Sequence, residues 1–116
     1  MTIYRTILIA AARRIVKIPV GLFGKRSHKD IAISGVVHPL KTVRKYWTAV
    51  KDGRKPFEVR LNDRNYTRGD IVVLREYDDF ADVFTGRSLT RKITYVLRGP
   101  ELGIAEGWCV FGLAEL

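Results

Sequence analysis

"VRKYWTAVKDGRKPFEVRL", residues 43–61, changes its hydrophobic period halfway through. In its first half Val43, Tyr46, Trp47 and Val50 fall at i, i+3, i+4 and i+7, the spacing of one helical face. Arg44, Lys45 and Lys51 occupy the opposite face, Thr42 suits an N-cap, and Gly53 suits a C-terminal stop. The spacing predicts a helix over 43–52. From Pro56 the period drops to two. Phe57, Val59 and Leu61 point one way, and Glu58, Arg60 and Asn62 the other, as in a strand.

Outward from this junction the chain reads mainly as strands. "NDRNYTRG" carries turn chemistry at Asn62, Asp63, Asn65 and Gly69. "DIVVLREYD" (70–78) sets Val72, Leu74 and Glu76 against Ile71, Val73 and Arg75. "DDFADVFTGR" reads as a long hairpin loop before the alternating "SLTRKITYVLR" (88–98). "GPELGIAEG" is a glycine-rich connection to a last strand, "WCVFGLAEL" (108–116). Upstream, "IAISGVV" (31–37) is a short β-branched run, and "HPLKT" leads from it into the helix. One helix and four or five short strands predict an α+β, mainly β fold. Its expected form is a small, strongly curved sheet or barrel with the helix at one end.

At 116 residues and 47% hydrophobic content the chain has material for one domain with a modest core. A net charge of +9 favours a polyanionic partner, either nucleic acid, nucleotide or anionic membrane. The single cysteine, Cys109, excludes an intrachain disulfide, and its neighbours Val110 and Phe111 predict a buried thiol. Residues 1–30 hold seven basic side chains and one acid, so most of the excess charge lies in an N-terminal extension, 1–35. Its "TIYRTILIAAARRIVK" reads as a helix from Ile3 to Lys17, stopped near Pro19 and Gly21. That segment is too short and too charged to span a bilayer. Packing on the body or on a second subunit, contact of residues 3–18 with a membrane surface or nucleic acid, and an organellar transit peptide are the readings open for it.

Two histidines, His28 and His38, with no cysteine nearby do not make a zinc site, so no metal is expected. Phosphate-loop and dinucleotide glycine patterns are missing, and no cofactor is expected. What remains is a cluster of ionisable groups. Lys41, Lys55, Glu58 and Arg60 surround the 43–61 segment, and a hairpin would bring Glu76 opposite Glu58 or Arg60. Lys55 with Glu58 or Glu76 has the makings of a base and electrophile pair, and Lys41 and Arg60 of an anion clamp. The same residues also read as an exposed cross-strand salt-bridge ladder. Among the aromatics, Trp47 reads as core, whereas Tyr66 and Tyr77 are expected at the surface as stacking residues.

The ordered blocks "HPLK", "GRKPFEVR", "NDR", "GD", "REY", "TGR" and "GWCVFGL" resemble the DUF3850 family, a branch of the ASCH group within the PUA-like superfamily. The resemblance runs from His38 to Leu113 and implies a PUA-like β-barrel over 36–116 with the helix beside a cleft. It implies binding of RNA or a modified nucleoside in that cleft, for which Lys41, Lys55, Arg60, Arg64, Glu58, Tyr66 and Tyr77 are the candidate contacts read from the residues. It also admits a small hydrolase acting on acylated cytidine or RNA, because Lys55 matches the lysine regarded as catalytic in the ASCH amidohydrolases. Glu58 stands where those enzymes carry threonine. An accessory interaction protein with a vestigial cleft is the third reading. A cytoplasmic location is expected, and the oligomeric state is left open.

Overall fold

The computed structural model describes residues 14–18 and 31–116, with side chains from Gly35 onward. Strands β1 (Arg14–Ile18) and β2 (Ile31–Gly35) pair antiparallel as a two-stranded sheet. The expected helix over 3–17 is therefore not supported. Residues 3–13 lie outside the described residues, and "RIVKI" at its end is a strand. Its β-branched Ile15, Val16 and Ile18 suit an extended backbone.

The body is a five-stranded sheet in the order β3-β5-β6-β7-β4, curled into a half-barrel with one short helix among the described residues. Its elements are β3 (Val37–Val43), α1 (Arg44–Lys51), β4 (Phe57–Leu61), β5 (Ile71–Asp78), β6 (Val83–Arg98) and β7 (Trp108–Ala114). Strand β3 runs parallel to β5, and the other pairings are antiparallel. "HPLKT" is thus strand rather than connection. Pro39 is tolerated because β3 is an edge, where a missing N–H removes no ladder bond. Gly35, at φ 142° and with Asp70 packed against it, breaks the expected 31–37 strand in two. The expected loop 78–87 is also shorter than its sequence reads. Val83 and Phe84 pair with Asp78 and Tyr77, and a register shift between Arg75 and Tyr77 absorbs the irregularity.

Helix α1 begins one residue late, and Val43 caps it without a side-chain bond. Thr42, the expected cap, instead donates its hydroxyl to the Leu40 carbonyl at 3.3 Å. Gly53, at φ 82°, ends the helix as expected. Trp47 and Val50 face inward, and Trp47 Nε1 donates to the Leu74 carbonyl at 2.9 Å. The core gathers Leu40, Trp47, Val50, Val72, Leu74, Ile93 and Phe111 with Tyr66 and Cys109. Tyr46, expected on the apolar face, is exposed.

The two sheet edges, β3 and β4, face each other across a seam closed by side chains. Arg60 Nη2 donates to the Lys41 carbonyl at 3.0 Å, and Arg64 Nη1 to the Pro39 carbonyl at 2.8 Å. These carbonyls sit two residues apart on the free edge of β3, so the guanidinium groups satisfy acceptors that no strand pairs. Within the turn, Asn62 Oδ1 accepts from the Tyr66 N–H at 3.2 Å. Tyr66 is 1% exposed and packs against His38 and Phe111, each at 4.8 Å between ring centroids. It is a core residue and not the surface stacking residue that its charged neighbours suggest. Burial pushes its hydroxyl up to about 12. His38 Nε2 lies 2.8 Å from Asp70 Oδ2, and Asp70 also accepts from the N–H groups of Val36 and Thr67. The His and Gly-Asp blocks therefore anchor β3 to the start of β5. Among the described residues no helix is long and apolar enough to cross a membrane.

Candidate functional site

Strand β4 is inside out. Phe57, Val59 and Leu61 are exposed, whereas Glu58 is 3% exposed and Arg60 half-buried. Register explains the inversion. Glu58 lies opposite Phe111 and Arg60 opposite Cys109, the two buried residues of β7, so the charged face of β4 shares the core side of the sheet. An ionised carboxylate so placed requires cationic partners. Glu58 Oε1 accepts from Lys55 Nζ, and Oε2 accepts from Arg60 Nε at 2.9 Å, with Nη2 of the same guanidinium at 2.7 Å. Arg60 Nη2 also reaches the Thr42 hydroxyl at 3.1 Å, and Lys55 Nζ the Phe57 carbonyl at 2.9 Å. The exposed ladder is therefore replaced by a buried network that ties β4 to the preceding loop and to β3.

Above this network lies a cleft of about 830 Å³ between α1 and β4. Tyr46 and Ala49 of α1, with Val43 at the end of β3, form one wall, and Phe57, Val59 and Trp108 the other. Lys41, Lys45, Arg54, Lys55 and Arg60 bring five cationic side chains to it, against one carboxylate, Glu58. The Lys55 ammonium sits 5.4 Å from the Tyr46 ring centroid and 5.1 Å from that of Phe57. The arrangement offers a flat apolar slot with a positive rim.

Of the residues singled out from sequence, Lys41, Lys55, Glu58 and Arg60 converge here. Arg64 is spent on the seam, and Tyr66 on the core. Tyr77 stands apart from the cleft lining, under the Lys41 ammonium at 3.8 Å and edge-on to Phe84 at 5.0 Å. Glu76 does not meet Glu58, because β4 pairs with β7 and not with β5. It is buried in a second cluster, where Arg87 bonds both its oxygens at 2.8 and 2.9 Å and the Thr85 hydroxyl donates at 2.6 Å. Arg44 adds a bond at 3.2 Å. The Arg87 bonds hold the Glu76 carboxyl at about 2, below its ordinary 4.5, against the upward push of burial and with help from Thr85. Since Arg87 also lies over the Trp47 ring at 4.5 Å, this cluster holds α1 to the sheet from the side away from the cleft.

Tyr46 and Trp108, aromatics that the sequence offers but ranks behind Tyr66 and Tyr77 for stacking, are the ones that line the cleft. For Trp108 a signal is present: in "WCVF" it alternates with Cys109 and Phe111, so it has to face away from them. Cys109 itself is buried, which pushes its thiol up.

The chain is similar to known proteins. It is 43% identical over 60 residues to an uncharacterized 12.9 kDa protein in the GpA 3' region of Escherichia phage P2. That match takes in 52% of this chain and 53% of the phage protein, so the chain spans about half the length of the curated relative it matches. A family model described as a domain of unknown function, DUF3850, matches residues 37–113, from the start of β3 to the penultimate residue of β7. The half-barrel, its arginine-closed seam and the α1–β4 cleft all fall within that span, and the chain belongs to the DUF3850 family.

Proposed function

We propose that the α1–β4 cleft binds a nucleotide, either free or as an unpaired base of RNA, within a small PUA-like barrel of the ASCH type. One observation carries the reading: an aromatic and aliphatic slot of about 830 Å³ rimmed by five cationic side chains and lined by a single, already paired carboxylate. Aromatic faces stack bases irrespective of sequence, and Lys and Arg meet phosphate. The test is the affinity of the full chain for a labelled single-stranded RNA over a salt series. Affinity should fall with salt. Arg54→Ala or Lys45→Ala should weaken binding and flatten the slope by about 0.7 for each phosphate that is no longer neutralised. Salt-independent RNA binding, or no binding of either RNA or free nucleotides, rejects the proposal.

A hydrolytic reading rests on the Lys55–Glu58 pair at the cleft floor. Against it, both Glu58 oxygens are engaged by cations, and Glu76 belongs to the other cluster. Incubation with N4-acetylcytidine separates the two. Deacetylation abolished by Lys55→Ala would carry the hydrolase, and intact substrate alongside RNA binding removes it.

A further inference from the structure

The polar groups of the cleft are sorted by hydrogen-bonding sense. Glu58 is the single carboxylate among the lining residues, and its two oxygens are taken by Lys55 and Arg60. At 3% exposure beneath those two cations, it offers little acceptor surface to the slot. Thr42 is equally spent, donating to the Leu40 carbonyl and accepting from Arg60. The charged side chains left to meet a ligand are Lys45, Lys55 and Arg60, with Arg54 beyond its bond to Asp52 and Lys41 held over Tyr77; all of them only donate, as does the indole of Trp108. Lys55 has three N–H bonds, of which Glu58 and the Phe57 carbonyl use two. The Tyr46 hydroxyl is the exception, able to donate or accept.

A site whose charged side chains are nearly all donors discriminates by what it leaves unpaired. Where guanine presents O6 and uracil O4 as acceptors, adenine and cytosine place an exocyclic amino donor; N7 is an acceptor in both purines and does not discriminate. Setting that amino group against an ammonium or guanidinium buries two donors face to face, which costs the hydrogen bonds of both. Building on the nucleotide-binding reading, we infer that the cleft selects keto bases, guanine and uracil, over the amino bases adenine and cytosine.

The experiment measures binding of GMP, UMP, AMP and CMP to the full chain, read by Trp108 fluorescence and calorimetry. The same measurement is made with single-stranded hexamers of U, A and C. One good donor–acceptor pair discriminates by roughly fivefold or more, so GMP and UMP should bind at least that much more tightly than AMP and CMP, or U6 than A6 and C6. A preference seen with mononucleotides assigns the site to free nucleotides, and one confined to hexamers assigns it to an unpaired base within a strand. Equal affinities, or tighter binding of the amino bases, overturn the selectivity and leave nucleotide binding standing. No binding in either format overturns both. Arg60→Gln supplies an acceptor beside Lys55 and should narrow the preference as adenine gains; an unchanged preference in the folded variant contradicts the assignment. Lys55→Gln makes the same test without touching the seam.

Discussion

Glu58→Gln and Val59→Thr, adjacent substitutions on one strand, should have opposite outcomes to those its amphipathic pattern suggests. Glu58 is 3% exposed and holds two cations, so the amide forfeits the charge and one acceptor together. Removing one member of a buried ion pair costs about 3–5 kcal/mol when the partner is stranded. Here the partners are not wholly stranded, since the Lys55 and Arg60 side chains keep 16% and 24% of their exposure and regain some hydration. Arg60 also retains Thr42 and the Lys41 carbonyl. The expected loss is about 2–3 kcal/mol, or roughly 8–12 °C in melting temperature for a domain of this size. Val59 is 49% exposed, and its near-isosteric exchange for threonine keeps β propensity and exposes the hydroxyl to water. That change should stay within about 0.5 kcal/mol. Urea melts followed by circular dichroism measure both. If Val59→Thr costs about 1–3 kcal/mol, as a buried hydroxyl would, and Glu58→Gln is neutral, then β4 faces the other way and the cleft floor is wrong.

Four further outcomes follow from the same contacts. Glu76 titrates at about 2 in the folded chain against an ordinary 4.5, so its stabilising contribution is complete above pH 4.5 and is lost as pH falls through about 2. Denaturant midpoints between those pH values should fall with acid more steeply in the native sequence than in Glu76→Gln. Arg87→Ala leaves Glu76 with Arg44 and Thr85 only and uncovers the Trp47 ring, and should lower the denaturant midpoint while shifting Trp47 emission in a Trp108→Phe background. Trp108→Ala should leave stability nearly intact but weaken RNA binding by about 1–3 kcal/mol, the worth of one stacked base, measured by anisotropy. Cys109, wholly buried and with its thiol raised, should resist a thiol reagent in the native state and react at once in 6 M urea.

Local periodicity made α1, β4 and β5 readable, because each presents a clean period of 3.6 or two. It also brought Lys55, Glu58 and Arg60 together, since three positions on one strand and its approach need no tertiary information. Alternation separates two faces without saying which one meets the core, and on β4 the register with Phe111 and Cys109 decides that. The same limit separated Glu76 from Glu58, for strand order is set by long-range pairing rather than by neighbours in sequence. Pro39 and Gly86 mimic loop punctuation, yet one lies on an edge and the other inside β6 at φ 92°. Tyr66 had no local signal, because its burial comes from a turn folding across the seam onto His38.

The cleft between α1 and β4 is where nucleotide binding has to show itself. Backbone amide shifts of the isotopically labelled full chain, recorded as a single-stranded U6 RNA is added, test it most directly. The largest changes should fall on Thr42, Tyr46, Lys55, Glu58 and Trp108, with the Glu76–Arg87 cluster little affected. Changes centred on that second cluster, or none at concentrations where the RNA should saturate, would contradict it.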